Sequence, residues 1–222
     1  LGALLVQTKN FDKAKQLLQK AIEIQPNFVA THNNLGIVFQ ELGEHKKSMF
    51  HFQKALEIQP NFENAHYNLG VTFKSLKEFK KAINCYEKAI KINPNYLKAY
   101  NELGLVFQEL NENKKAISCY EKVIQIDPNH ISTINRLSEL IKIVQLNKLT
   151  KNNYASLKKL ILFLYRKNNI NHADIFYNAK LVLLTEINDR KLKEIVNSNS
   201  SLLQNKILQN LLKEELFLLM LQ

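Results

Sequence analysis

Prolines stand at positions 26, 60, 94 and 128, always 34 residues apart, and each is followed by asparagine. A second mark keeps the same period: Leu-Gly occurs at Leu1-Gly2, Leu35-Gly36, Leu69-Gly70 and Leu103-Gly104. A period of this length means that one supersecondary unit is stacked several times, each unit burying its apolar face on the next. Between the marks, apolar residues recur at three- and four-residue spacings, the pattern of amphipathic helices. In the unit from Val29, one helix is expected through THNNLGIVFQEL and a second through KKSMFHFQKALEI. Pro60 cannot continue the second helix and pushes the preceding residue out of helical geometry. Asn61 is expected in the turn or as the cap of the next helix.

The small residues predict how the helices pack. Gly36, Gly70 and Gly104 fall in mid-helix, where glycine costs roughly 0.5–1 kcal/mol relative to alanine. Paid in three successive units, that cost implies close helix approach, with Ser48, Ala82 and Ala116 as the expected facing residues. Ala55 and Ala89 are again small, and Val123 departs from them. Phe39, Phe73 and Phe107 on the first helices, with Phe52, Tyr86 and Tyr120 on the second, form an aromatic stripe best read as core.

These features resemble the tetratricopeptide repeat, a hairpin of 34 residues with Leu-Gly early, small residues at two packing points, an aromatic between them and proline at the end. Asn64–Pro94 matches nearly throughout. His32, His66 and Tyr100 stand where the family often has tryptophan. The resemblance implies an all-α, right-handed superhelix, an α-solenoid of helical hairpins. The expected array spans 1–146: a partial repeat at 1–28, full repeats at 29–62, 63–96 and 97–130, and a capping helix at 131–146, where Ser138 replaces the repeat glycine. A polar linker at 147–153 and a C-terminal helical segment at 154–222 follow. Helices are expected there over 154–168, 171–187, 188–197 and 201–221, with Asn171 and Asp189 as caps. The missing initiating methionine and the uncapped Leu-rich end read as a fragment.

Composition narrows the function. The chain carries +11, but lysine far outnumbers arginine, and basic runs and arginine-aromatic faces are lacking, so no nucleic-acid partner is expected. The charge is a solvated surface, +4 over 1–128 and +7 over 129–222. Apolar runs are too short to span a bilayer. Cys85 and Cys119 occupy the same position in adjacent repeats, about 10 Å apart or more and beyond disulfide reach. Free thiols suit a reducing compartment, so a cytoplasmic location is expected. The six histidines show no zinc spacing, and His32 and His66 read as core or rim. With no phosphate loop, dinucleotide fingerprint or nucleophile elbow, no catalytic site, metal or cofactor is expected.

By the family resemblance, the first helices line a groove. Its expected lining is Asn33, Asn34, Ile37 and Gln40, flanked by Ala30 and Glu41, in the first full repeat. The next gives Asn64, Tyr67, Asn68, Val71 and Lys74, with Ser75. The third gives Lys98, Asn101, Glu102, Leu105 and Gln108, with Glu109. Amide side chains offer both donors and acceptors, so they can hold a peptide backbone whatever its side chains. Asn34 and Asn68 match the asparagine ladder in repeats of O-linked N-acetylglucosamine transferase, and Glu102 breaks it. A carboxylate clamp for peptide C-termini is ruled against: Asn68 and Lys98 match it, but Asn33, Ile37 and Glu102 do not.

The expected function is a scaffold that binds a protein or extended peptide, with the oligomeric state left open. The alternative is the substrate-recruiting arm of a bacterial glycosyltransferase or methyltransferase whose catalytic domain lies beyond residue 222.

Overall fold

A computed structural model describes residues 10–143 together with Val6 and Thr8. Eight helices make up these residues, with no strand among them: α1 (Phe11–Ile24), α2 (Val29–Glu41), α3 (His45–Ile58), α4 (Glu63–Ser75), α5 (Phe79–Ile92), α6 (Leu97–Glu109), α7 (Asn113–Ile126) and α8 (Ile131–Ile143). This is an all-α solenoid of helical hairpins. The chain divides into two compact units, 1–128 and 129–222. The first holds α1 to α7. In the second, α8 buries Thr133, Ile134, Leu137 and Leu140. The linker, the caps Asn171 and Asp189 and the helices expected over 154–222 lie outside the described residues.

Each hairpin pairs a first helix with a second, α2 with α3, α4 with α5 and α6 with α7, and the second helices α1, α3 and α5 also meet the first helix that follows, α2, α4 and α6. The repeat boundaries follow from proline. Gln25, Gln59 and Asn93 each leave helical geometry, Gln59 and Asn93 in the extended region, as the following proline favours. The chain then turns over Pro-Asn, and the amides of Phe28, Phe62 and Tyr96 bond back to the carbonyls of Gln25, Gln59 and Asn93. The asparagines therefore serve the turn and not the cap. The N-cap position falls one residue later, on Phe28, Phe62 and Tyr96, which contribute no side-chain cap.

The turn inside each hairpin has a period of its own. Gly43, Lys77 and Asn111 all adopt positive φ, 73°, 60° and 59°. Glu44, Glu78 and Glu112 donate their amides to the carbonyls of Phe39, Phe73 and Phe107. This left-handed closure satisfies carbonyls that the helix end leaves open. Gly43 and Asn111 are residue types that favour this conformation, whereas Lys77 stands where glycine is favoured.

The repeat glycines do admit a close neighbour, but not the expected one. The atoms nearest a Cβ added at Gly36, Gly70 or Gly104 belong to the rings of Phe52, Tyr86 and Tyr120, 2.5–2.7 Å away at the closest. The facing residue thus lies sixteen positions on rather than twelve. Ser48, Ala82 and Ala116 are fully buried, and the Ser48 hydroxyl lies 3.4 Å from that of Thr72 on α4. Phe52, Tyr86 and Tyr120 are wholly enclosed, as the core reading of the aromatic stripe requires. Cys85 and Cys119 are buried free thiols, and burial pushes them up to about 11 and about 12. Thiols held this far from ionisation are poor nucleophiles.

Candidate functional site: the first-helix face

The first helices of neighbouring repeats touch, α2 against α4 and α4 against α6, and no second helix makes comparable contact with the second helix of the next repeat. Within 1–128 the solenoid is therefore tighter along its first helices, which line its inner side.

Neighbouring helices are wired together across this side. Asn68 Nδ2 donates to Asn33 Oδ1 at 2.9 Å. The Thr72 hydroxyl lies 3.1 Å from its own helix's Asn68 carbonyl and 3.2 Å from Gln40 Oε1 on α2. Tyr96 donates its hydroxyl to Asn64 Oδ1 at 2.7 Å. Lys74 pairs with Glu102, both only partly exposed. Tyr67 packs its ring against those of Tyr86 and Tyr96, with centroids 6.0 and 5.3 Å apart. Burial, then Glu102 and Tyr96, raises the Tyr67 phenol, and burial, then Glu63, pushes Tyr96 up to about 12, so both stay neutral donors.

This arrangement divides the expected lining. Asn33 is buried beneath the face, and its carbonyl is committed to Asn68. Asn64, Gln40, Lys74 and Glu102 are half-buried and engaged with a neighbouring helix. Gln108 accepts from the hydroxyl of Tyr120. Asn34, Ile37, Tyr67, Asn68, Val71, Asn101 and Leu105 are half-buried on the face, and Lys98 is exposed. Asn34 has no side-chain partner among the described residues. Asn68 uses one amide hydrogen on Asn33 and keeps the other, with its carbonyl oxygen, available. The amide contact between repeats thus runs from Asn33 to Asn68 and not from Asn34 to Asn68.

The Lys74–Glu102 pair has a cost next door. Tyr120 finds Gln108 as acceptor, but the same register one repeat earlier holds Lys74. The Tyr86 hydroxyl is left buried without a protein partner. Removing an unsatisfied buried hydroxyl relieves its desolvation penalty. Tyr86→Phe, which matches Phe52 in the preceding repeat, is therefore expected to raise stability by about 1 kcal/mol. Thermal melts check it, and a clear loss would show that the hydroxyl is satisfied.

His32 and His66, at one register, face the turns. Their Nε2 atoms donate to the carbonyls of Pro26 and Pro60 at 2.8 and 2.9 Å, so both serve the repeat boundary. Among the described residues, no group of three or more acidic, cysteine or histidine side chains is placed to hold a metal ion. No described helix is long and apolar enough to cross a membrane.

A family model of the tetratricopeptide repeat matches residues 29–62, 63–96 and 97–130, and a second model of the same repeat matches 2–43. The chain belongs to the tetratricopeptide-repeat family. Among solved structures, this repeat protein is similar to MamA at 25% identity, covering 74% of this chain and 91% of that one, with a TM-score of 0.59. It shares its fold with PilF of Pseudomonas aeruginosa at 22% identity, covering 95% and 94% with a TM-score of 0.61. YrrB, described as a repeat protein with an unusual peptide-binding site, is 20% identical over 80% of this chain and 87% of its own, with a TM-score of 0.58. No curated protein matches the chain. Both matched models are repeats, and neither supports the expectation of a transferase arm.

Proposed function

We propose that this tetratricopeptide-repeat array is a protein-interaction scaffold whose first-helix face receives an extended segment of a partner protein. The observation that carries this reading is the Asn33–Asn68 contact. It fixes the Asn68 amide in place and leaves a donor and an acceptor on it for a ligand. Asn34 adds an amide with no internal partner, Lys98 an exposed cation, and Ile37, Val71 and Leu105 apolar surface between them. A face already cross-linked between repeats loses little freedom on binding, and such preorganisation favours affinity. The peptide-binding site described for YrrB is a property of that protein, and it agrees with the use proposed for this fold.

Peptides selected by display on the intact protein test the proposal. Asn34→Ala combined with Lys98→Ala removes two groups that the fold does not use. With each hydrogen bond to the ligand worth about 0.5–1.5 kcal/mol, and charged ones more, the double variant should bind roughly 10- to 50-fold more weakly. Its melting temperature should stay unchanged. Unaltered affinity would remove this face as the binding surface.

A further inference from the structure

A second surface lies on the side of α1 and α3, away from the first-helix face. Lys15, Gln19, Phe39, Lys46, Lys47, Phe50 and His51 surround a hollow of about 490 Å³. Phe39 forms its floor. The ammonium groups of Lys15 and Lys47 lie over that ring, 5.4 and 5.3 Å from its centroid. Phe50 forms the wall, 52% exposed and set edge-on against His51.

Comparison with the next two repeats shows which of these features the fold itself requires. A lysine over the first-helix phenylalanine recurs at Lys81–Phe73 and Lys115–Phe107, each with a glutamate three residues earlier. That cluster is part of the repeat. Phe50 is not: Asn84 and Ser118 hold its register in the following repeats. Lys15 is also peculiar to this place, since Met49, Ile83 and Ile117 follow it in register. The first full repeat alone thus combines an exposed ring with an added cation. Of the three lining lysines, Lys15 and Lys47 share one carboxylate, Glu44, and Lys46 has none among the described residues.

We propose that this hollow docks an acidic segment of a partner polypeptide, seating an apolar side chain of that segment against Phe50 with carboxylates on Lys46 and Lys15. An exposed aromatic wall contributes contact area at low entropic cost. The surplus of cations steers an acidic partner and disfavours a basic one. The surface is independent of the first-helix face and shares no residue with it.

Fluorescence anisotropy with a labelled hexapeptide of sequence DEDFED, its neutral counterpart NQNFQN and a hexamer of oligothymidylate tests this on the intact chain. DEDFED should bind more weakly as salt rises, and NQNFQN should bind far less well. Phe50→Asn and Lys46→Glu change exposed side chains and should keep the wild-type melting temperature. Each should weaken DEDFED roughly ten-fold or more, while Asn34→Ala leaves it unchanged. Equal binding by the Phe50 and Lys46 variants, no binding of DEDFED to the wild type, or tighter binding of the oligonucleotide would each overturn the proposal.

Discussion

Gly104→Leu is expected to lower the melting temperature by about 6–12 °C, corresponding to roughly 3 kcal/mol for a chain of this size. The reason is local and steric. A Cβ at position 104 would lie 2.5 Å from Cε1 of Tyr120. That ring is fully buried, and its hydroxyl is tied to Gln108, so it is held at both ends. Alanine gains about 0.5–1 kcal/mol of helix propensity over glycine and adds only the Cβ, so Gly104→Ala should cost less. At Gly70 the facing Tyr86 lacks a hydroxyl partner and has one restraint fewer. Gly70→Ala is therefore expected to be milder than Gly104→Ala. Gly43 has open space around it but a φ of 73°, so Gly43→Ala should cost only about 1 kcal/mol through backbone strain. Thermal unfolding of the four variants measures this order. A Gly104→Leu protein melting with the wild type would refute the ring-on-glycine packing.

Acidification from pH 7.5 to 5 is expected to remove about 1–2 kcal/mol of stability through His51 alone. Burial, with His32 beside it, lowers His51 to about 4 from its ordinary value of 6.5. Its ring stacks on Phe39 and His32, and Phe50 closes the edge. The two imidazoles meet Nδ1 to Nδ1 at 3.2 Å. In the neutral pair, His32 donates through Nε2 to Pro26 and accepts at Nδ1, so His51 must donate there. A further proton on His51 enters at Nε2, since Nδ1 already carries one, and the charge it brings is penalised by burial and by His32 beside it. The charged side chains lining the same hollow are Lys15, Lys46 and Lys47, all cations, and Glu44 is already engaged by two of them. The sign follows from the lowered value. Above pH 6.5 both folded and unfolded chains hold a neutral His51. As pH falls toward 4, the unfolded chain binds the proton first, and stability is lost. Partial exposure holds the effect below the limit of 1.36 kcal/mol per pKa unit. His51→Cys installs the residue that Cys85 and Cys119 supply in the next repeats, and it should flatten this part of the stability profile. An equally steep profile in that variant would assign the loss to other groups.

The fold was legible because its punctuation is chemical. Proline after each second helix and glycine within each first helix act through sterics that hold in any context, so repeat, helices and aromatic core could be read from spacing. The glycine's partner was not legible, since twelve and sixteen residues later lie on adjoining parts of one helix and only three-dimensional packing chooses between them. The left-handed turn at Lys77 was hidden because tertiary structure holds a lysine where local preference favours glycine. On the site, the expected lining falls on α2, α4 and α6, but the sequence did not separate those residues by depth. Asn33 and Asn34 are neighbours in sequence, yet one sits under the surface bonding Asn68 and the other is left without a partner. That difference depends on how α4 lies on α2, which no single helix encodes. His51 was passed over because it forms no metal spacing, although its departure from the cysteines at the same register was a visible signal.

The central claim is that polypeptide binds along α2, α4 and α6. The most direct measurement is nuclear magnetic resonance of the side-chain amides during titration with a display-selected peptide. The account predicts that the Asn34 and Asn68 resonances shift together and saturably, with the amides on α3, α5 and α7 unmoved. Shifts confined to those second helices, with Asn34 and Asn68 silent at saturation, would contradict it.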